Sequence, residues 1–250
     1  MTKNASEDMP VGIAHDKQRG AVASLDIVDS RASILDAAAE LFSTLGYTGT
    51  GVRQIADRVG LRPASVYHHF DSKERILEEI LRIGLSQTMQ ATRQAVEVLP
   101  PDANPRDRLE AAIAGHLRGI HENVAYTSTN LRFHGQMPPE VGRRVQPLRD
   151  DYTAFWRKLL ESAKRGGYLQ PDLDLSLLRA LIIGALNRSV TWFDLRKGPL
   201  DALIQLTIVS FAGIWIKDRS MKLRFTNGSR ARRMRQVAPP DVSSHPGVKS

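Results

Sequence analysis

The sequence predicts an all-α protein of about nine helices, with an N-terminal three-helix domain that contains a helix-turn-helix and a larger C-terminal helical domain. Two observations lead to this fold class. Apolar residues recur every three to four positions along most of the 250-residue chain, as in helices that pack on one side. In addition, no segment alternates apolar and polar residues as a half-buried strand does.

The first predicted helix spans residues 30–45. Ser30 can cap it, because a serine oxygen accepts a hydrogen bond from a free backbone N–H of the first turn. Gly46 is predicted to end it, because glycine adopts the left-handed conformation of a helix C-terminus at little cost. The apolar residues between them form one stripe, which indicates a helix that packs against a core.

Two short helices joined by a tight turn are predicted next, over residues 52–59 and 64–70. Gly60 suits the left-handed residue that ends the first of them. Pro63 suits the start of the second, since its missing N–H would have no partner there. Helix, glycine turn and helix is the helix-turn-helix pattern, whose second helix can lie in the major groove of DNA.

A long helix is predicted over residues 71–99, opened by a capping box of Asp71 and Glu74. It would link the N-terminal domain to the remainder of the chain. Proline and glycine residues separate the other predicted helices. These helices span residues 105–123, 125–136, 140–164, 174–196 and 199–218.

The last two predicted helices are apolar on nearly all sides. In the first of them, Leu178, Leu181 and Ile182 mark one face, while Leu177 and Gly184 mark another. A helix of this kind needs burial on both sides. Either both helices lie inside a larger core, or their outer faces form a two-fold dimer interface built as a four-helix bundle. We favour the dimer, because a chain-terminal helix usually lies at the periphery.

The net charge of +8 is compatible with binding to nucleic acid, but its distribution weakens that argument. Residues 30–80 carry six lysines and arginines against seven carboxylates, whereas residues 217–250 carry nine against two. The predicted helix-turn-helix domain is therefore not basic overall. Its ability to bind DNA depends on where individual cations stand.

Two cations stand where a helix disfavours them. Arg62 precedes the second short helix and Lys73 lies in the first turn of the long helix, both at the positive end of a helix dipole. A DNA phosphate at each place would resolve the conflict. The alternative is a pair of solvated surface cations.

One specific pattern spans residues 30–85, and it consists of Ile34, Ala38, Leu41, Phe42, Gly46, Tyr47, Thr50, Ile55, Ala56, Gly60, Val66, Tyr67, His68, His69, Phe70, Ser72, Lys73 and Glu74. It resembles the DNA-binding domain of the tetracycline-repressor (TetR) family. The resemblance implies operator binding and dimerisation through the last two helices. Gly51 and Arg62 depart from the serine or threonine that is usual in the family, which bears on the operator sequence more than on the fold.

Eight residues are predicted to contact DNA, partly from their positions and partly from this resemblance. Those assigned to base edges are Arg62, Ala64, Ser65 and His68. Those assigned to phosphates are Thr50, Arg53, Tyr67 and Lys73. His69 is expected to pack inward rather than to read a base.

The middle helices concentrate aromatic residues and arginines. Apolar walls with a few polar anchors are typical of a small-molecule pocket, and arginines favour an acidic ligand. The alternative is that the aromatic residues simply fill a core. The predicted ligand contacts are Tyr126, Arg132, Phe133, Met137, Arg149, Trp156 and Trp192.

A second, shorter resemblance concerns the effector. Residues 171–174 (PDLD), Trp192 and residues 198–200 (GPL) resemble a TetR subgroup that responds to acyl-coenzyme A thioesters. The sequence thus predicts a homodimeric, ligand-responsive regulator, more specifically a repressor, that binds a palindromic operator and is released by a small molecule. The alternatives are a constitutive DNA-binding factor without a ligand, and a helical ligand-binding protein or enzyme with an incidental helix-turn-helix.

The predicted organisation has four parts. Residues 1–29 are expected to be a disordered arm, because small and polar residues mix there without a period. Residues 30–80 form the DNA-binding domain and residues 81–218 the ligand-binding and dimerisation domain. Residues 219–250 are expected to be a basic disordered tail, which either adds salt-sensitive affinity for DNA or serves only solubility.

We expect neither enzymatic activity nor a metal or cofactor. The chain has no cysteine, and His116 and His121 are five residues apart, which does not place them on one helix face. We also expect a cytoplasmic protein without a membrane span. The most apolar long run, residues 203–216, is shorter than the ~20 residues that a spanning helix needs, and the N-terminus lacks the apolar core of a signal peptide.

Overall fold

The computed structural model of the protein describes residues 14–133 and 137–215, with side chains from residue 30 onward. The regular secondary structure of the described part is helical, apart from one isolated antiparallel bridge between Leu169 and Trp215. The all-α prediction is therefore confirmed. The α-helices are α1 (Ala14–Gly49), α2 (Val52–Arg58), α3 (Pro63–His69), α4 (Lys73–Glu97), α5 (Pro105–Glu122), α6 (Val124–Arg132), α7 (Pro139–Arg165), α8 (Leu175–Arg188) and α9 (Leu200–Ser210), with 3-10 turns at Ser189–Thr191 and Phe211–Ile214.

Helices α1, α2 and α3 pack against the first half of α4 and form the N-terminal domain. Phe42 of α1, Ile55 of α2 and Val66 of α3 are completely buried in its core. The ends of α6 and α7 reach into the same core through residues such as Phe133 and Val141. The two domains therefore share a packed boundary.

The second core lies between the remaining part of α4 and helices α5, α7, α8 and α9. Met89 of α4, Trp156 of α7 and Ile182 of α8 are buried in it. Helix α4 thus contributes to both cores, which agrees with its predicted role as a link. The two central helices approach closely: a Cβ atom on Gly115 of α5 would lie 2.7 Å from the carbonyl oxygen of Ala91 on α4.

Several helix ends differ from those that the sequence predicts. Helix α1 begins at Ala14, so residues 14–29 are helical and Ser30 lies inside the helix instead of capping it. Gly46 breaks the helix as expected, with φ of +83°, before one further turn. Ser72, not Asp71, caps α4, because its hydroxyl accepts a hydrogen bond from the Arg75 N–H at 3.3 Å. Residues 1–13 lie outside the described part.

The last two helices are shorter than predicted, since α8 gives way to a 3-10 turn at Ser189 and α9 to another at Phe211. The end of the predicted last helix beyond residue 215 and the predicted basic tail lie outside the described residues. No helix in the described part of the chain has the length and apolarity that crossing a membrane requires.

Both helices have a buried and an exposed apolar face. On α8, Leu178 and Ile182 are buried, whereas Leu177 is 71% exposed. Leu181 was predicted to share a face with Leu178 and Ile182, but it is exposed, because it follows Leu177 by four residues and shares its side of the helix. Helix α9 repeats the arrangement, with an outer face that includes Leu206 at 61% exposure.

Candidate nucleic-acid interface and ligand cavity

Helix α3 presents one polar face to solvent. Arg62 precedes it in an extended conformation and Pro63 begins it, after a turn in which Gly60 has φ of +69°. Val66 is buried, so the opposite side of the helix exposes Tyr67 and His68. A short helix with one anchored and one exposed face is suited to enter a major groove.

The remaining predicted contacts around α3 differ in exposure. Ala64, Arg53 and Arg62 are exposed, and Ser65 is half-buried. His69 is also half-buried, which is compatible with its expected inward packing. These positions give the outer surface of α2 and α3 two cationic side chains and several small or polar ones.

The Lys73 ammonium is bound by two backbone carbonyl oxygens of the same chain. Its Nζ donates hydrogen bonds to the carbonyl oxygens of Tyr47 at 3.0 Å and Thr50 at 2.9 Å, and lies 4.0 Å from the centroid of the Tyr47 ring. These carbonyls stand near the end of α1, where partial negative charge accumulates. They resolve the conflict between Lys73 and its own helix dipole without an external phosphate. Lys73 therefore has internal partners in the protein alone, and its phosphate contact stays a prediction.

Thr50 also has an internal role, and its phosphate contact likewise stays a prediction. Its side chain is buried, and its hydroxyl donates a hydrogen bond to the carbonyl oxygen of Gly46 at 2.8 Å. Next to it, the Tyr47 hydroxyl donates to the Glu74 carboxylate. That hydrogen bond lowers the pKa of Glu74, and burial together with the same bond raises the pKa of Tyr47.

A cavity of about 530 Å³ lies between α4, α5, α6, α7 and α8. Its apolar lining includes Leu85, Ile120 and Ile183. Three arginines add positive charge from two of the helices: Arg149 of α7, and Arg179 and Arg188 of α8. A volume of this size with apolar walls and a few charged groups suits a small organic acid.

A chain of hydrogen bonds forms part of the cavity wall. His116 Nδ1 lies 2.7 Å from the Tyr152 hydroxyl, and His116 Nε2 lies 3.0 Å from Oδ1 of Asn187. The Tyr152 hydroxyl also lies 2.7 Å from Oγ1 of Thr92 on α4. Burial lowers the pKa of His116 to about 4, so the ring is neutral near pH 7.

Two family models match the chain. The model described as "Bacterial regulatory proteins, tetR family" matches residues 34–80, and "Tetracyclin repressor-like, C-terminal domain" matches residues 102–203. The "HTH-type transcriptional repressor KstR2" of Mycobacterium tuberculosis (strain ATCC 25618 / H37Rv) is 31% identical over 180 residues, which cover 69% of this chain and 84% of that protein. The chain belongs to the TetR family.

Other proteins are similar to this chain over most of their own length. The "Fatty acid metabolism regulator protein" of Bacillus subtilis (strain 168) is 26% identical over 171 residues, covering 67% of this chain and 85% of that protein. The solved structure of the ketosteroid transcriptional regulator KstR2 of Mycobacterium tuberculosis superposes with a TM-score of 0.63 and 27% identity, covering 75% of this chain and 96% of that one. The predicted family is thus confirmed, and α2–α3 is the helix-turn-helix of a TetR-type DNA-binding domain.

Most of the predicted ligand residues lie elsewhere in this TetR-family fold. Arg149 lines the cavity, and burial lowers its pKa. Trp156 is buried in the second core, and Trp192 is 61% exposed outside the cavity. Met137 packs against the core of the N-terminal domain. Aromatic and sulfur-containing side chains mark where volume is needed, and here that volume fills packed cores.

The other three predicted ligand residues form a contact between domains, which we name the α6 clamp: Tyr126, Arg132 and Phe133. The Tyr126 hydroxyl donates to Oδ1 of Asp36 at 2.7 Å. Arg132 Nη1 donates to the carbonyl oxygens of Ser43 at 2.7 Å and Thr44 at 2.8 Å. Phe133 meets the rings of Phe42 and Tyr47 edge-on, each at 6.4 Å between centroids. The α6 clamp therefore holds the end of α1, which leads into the helix-turn-helix.

Most residues of the cavity lining were not predicted from the sequence. Arg179 and Arg188 lie on a helix that the apolar pattern assigned to dimerisation, and His116 was considered only as a metal ligand. The spacing between Arg179 and Arg188 in the sequence does not by itself indicate a ligand site. Only the convergence of five helices brings these side chains to one cavity.

Lowering the pH from 7 to 5 should reduce the free energy of unfolding by about 2 kcal/mol through His116. The folded-state pKa near 4 lies below the ordinary value of 6.5, so the unfolded chain takes up the proton first and is favoured as the pH falls. Urea denaturation at both pH values measures the change, with His116→Gln as the control. The variant should lose less stability between the two pH values, and an equal loss would contradict a neutral, buried His116.

Proposed function

We propose that this TetR-family protein is a homodimeric repressor that binds a palindromic operator and releases it when an acidic, amphipathic small molecule enters the cavity. The observation that best supports this proposal is the position of the described arginines that have no hydrogen-bond or ion-pair partner. Most arginines of the described residues donate to carboxylates or carbonyl oxygens, as Arg144 does to Glu78 at 3.0 Å. The described arginines without such a partner are Arg53, Arg62, Arg82, Arg179 and Arg188.

Four of these five arginines fall into two pairs. Arg53 and Arg62 stand on and before the two helices of the helix-turn-helix, whereas Arg179 and Arg188 line the cavity. An arginine without a partner keeps five N–H donors for a carboxylate or phosphate. The two pairs therefore suit two anionic partners, which are the DNA backbone and bases at one end and an acidic ligand at the other.

The exposed faces of α8 and α9 support a dimer. Leu177, Leu181, Leu206 and Val209 are all more than half exposed in the single chain. Exposed apolar side chains on adjacent turns of two helices are typical of an interface, and a two-fold axis would pair each face with its copy. Two helix-turn-helix units about 34–36 Å apart then fit successive major-groove faces of a palindrome.

An acyl-coenzyme A thioester is the effector class that we propose. Its acyl chain suits the lining of Leu85, Ile120 and Ile183, and its phosphates suit Arg179 and the exposed Arg188. Relatives whose names refer to fatty acid metabolism and ketosteroids agree with an apolar ligand. The cavity also argues against the alternative of a constitutive factor, whose middle helices would pack without space.

Ligand entry would act on DNA binding through α4 and α6. Both helices line the cavity, α4 at Gly84 and Leu85 and α6 at Asn130 and Leu131. Helix α4 continues into the core of the N-terminal domain, and α6 ends in the α6 clamp. A shift of either helix would change the spacing of the two DNA-binding domains. The operator affinity then changes by the ligand's differential affinity for the two states, typically 1–3 kcal/mol.

Substituting individual cationic side chains should show which of them contact DNA and which make only internal contacts. Arg53→Ala should lower the slope of log affinity against log salt concentration by about one, and Arg62→Ala should relax sequence preference. Lys73→Met should leave the slope unchanged, because its ammonium is bound by carbonyl oxygens. Fluorescence anisotropy with an operator duplex over a range of salt measures both quantities. A lowered slope for Lys73→Met would show that the ammonium contacts phosphate.

A charge on the outer face of α8 should dissociate the dimer. Leu177→Asp would place a carboxylate in the apolar interface, weakening dimerisation at least about thirtyfold and operator binding with it. Val98→Asp is the control, since Val98 is an apolar residue of similar exposure that lies directly after α4 and not on α8 or α9. Analytical ultracentrifugation gives the dissociation constant. A monomeric unaltered protein, or equal dimerisation of both variants, would refute this interface.

Dodecanoyl-coenzyme A should release the protein from operator DNA, and the cavity arginines should determine its affinity. Combining Arg179→Met with Arg188→Met should weaken its binding at least about tenfold, the loss expected for charge-assisted hydrogen bonds. Arg82→Met is the control, because Arg82 is also unpaired but does not line the cavity. Calorimetry gives the affinities and a DNA-shift assay gives release. Binding without release would favour a constitutive DNA-binding factor.

A further inference from the structure

The cavity has two chemically different sides. Its arginines come from α7 and α8, whereas the lining from α4, α5 and α6 contains no side chain that is ionised near neutral pH. The only titratable group on that side is His116, which is neutral and hydrogen-bonded through both ring nitrogens. An anion is therefore favoured at the α7–α8 side and disfavoured at the opposite side, where nothing would compensate its desolvation.

Thr127 of α6 carries an unusual hydroxyl on the uncharged side. The residue is only 5% exposed and lines the cavity, yet its hydroxyl has no hydrogen-bond partner among the described residues. Other buried helical threonines return their hydroxyl to the carbonyl oxygen four residues earlier, as Thr88 does to Gly84 at 2.9 Å and Thr129 does to Ala125 at 2.9 Å. Among the described residues, the fully buried side-chain polar atoms without a partner are Arg93 Nε and Trp156 Nε1, so the Thr127 hydroxyl is open to the cavity, where a ligand group can reach it.

Asn130 adds an acceptor one turn further along α6. Its Nδ2 donates to the carbonyl oxygens of Leu81 at 3.1 Å and Tyr126 at 3.3 Å, which fixes the orientation of the amide. Its Oδ1 has no partner among the described residues. Residues three apart on a helix share one face. Thr127 and Asn130 therefore present one hydroxyl and one free carbonyl oxygen to the same cavity.

We propose that Thr127 and Asn130 form a subsite for an uncharged oxygen group of the effector, a hydroxyl or a ketone. The effector is then bifunctional, with an acid at the arginines and a neutral oxygen on the far side of an apolar body. A ligand hydroxyl accepts from Thr127 and donates to Asn130, whereas a ketone accepts from Thr127 alone. This inference rests on the proposal that the cavity binds an acid, and it specifies the class of that acid.

Matched acids with and without a neutral oxygen test the subsite in the full-length dimer. The pairs are cholanic acid with its ring-hydroxylated counterpart lithocholic acid and the corresponding ring ketone, and dodecanoic acid with its terminal hydroxy counterpart. In at least one scaffold the oxygenated acid should bind about tenfold tighter by calorimetry, the difference expected for an added buried hydrogen bond. The hydroxyl should exceed the ketone, because only the hydroxyl can donate to Asn130.

Substitutions at Thr127 distinguish a hydrogen bond from a structural effect. Thr127→Val keeps the shape and should remove the preference for the oxygenated acid while leaving the affinity for the plain acid unchanged. Thr127→Ser should retain the preference. Thr129→Val is the control, since Thr129 is buried on the same helix but outside the cavity.

Several results of these binding measurements would overturn the subsite. Plain acids that bind as tightly as oxygenated ones in every scaffold overturn the subsite alone and leave the acid-responsive repressor intact. Equal losses of both affinities in Thr127→Val also overturn it, because they indicate a packing role. If dodecanoyl-coenzyme A binds and none of these acids does, the subsite alone is overturned. If neither the acids nor dodecanoyl-coenzyme A binds while operator binding in the same preparation is normal, both the subsite and the acidic effector class are wrong.

Discussion

The arrangement of the DNA-binding domain depends on the surroundings of Tyr47, where the end of α1, the start of α4 and the end of α6 meet. Its hydroxyl donates to Glu74, its carbonyl oxygen and ring both contact Lys73, and its ring meets Phe133 edge-on. Lys73 also binds the carbonyl oxygen of Thr50, directly before α2. The orientation of the helix-turn-helix is thus fixed by helices that belong to, or lead into, the cavity domain.

The helix-turn-helix could be predicted from the sequence because the residues that shape its turn act on their own backbone. Gly60 has the positive φ that its turn requires, and Pro63 begins α3. Lys73 shows where such reasoning is incomplete. A cation at a helix N-terminus indicates a nearby anion or dipole, but the oxygens that satisfy it belong to Tyr47 and Thr50, more than twenty residues earlier. Only tertiary structure decides between those carbonyls and a phosphate.

The cavity could not be predicted for a related reason. Tyr126 and Phe133 signal buried volume, and a sequence does not say whether that volume is a pocket or a domain boundary. The lining instead uses side chains without a distinctive pattern, such as Thr127 and Arg179. Helix α8 serves two purposes at once, since Gly184 both lines the cavity and lies on the exposed side that we assign to the dimer. Ligand and partner subunit would then meet along adjoining faces of one helix.

The proposed release of DNA depends on the α6 clamp, which would transmit occupancy of the cavity to the DNA-binding domain. The decisive quantity is the ratio of operator affinities with and without a saturating acid that releases the unaltered protein. It should be measured in a variant that combines Arg132→Met and Phe133→Leu. The variant should still bind both DNA and acid, but its ratio should fall from roughly tenfold or more to near one. An unchanged ratio would show that the coupling does not pass through the α6 clamp.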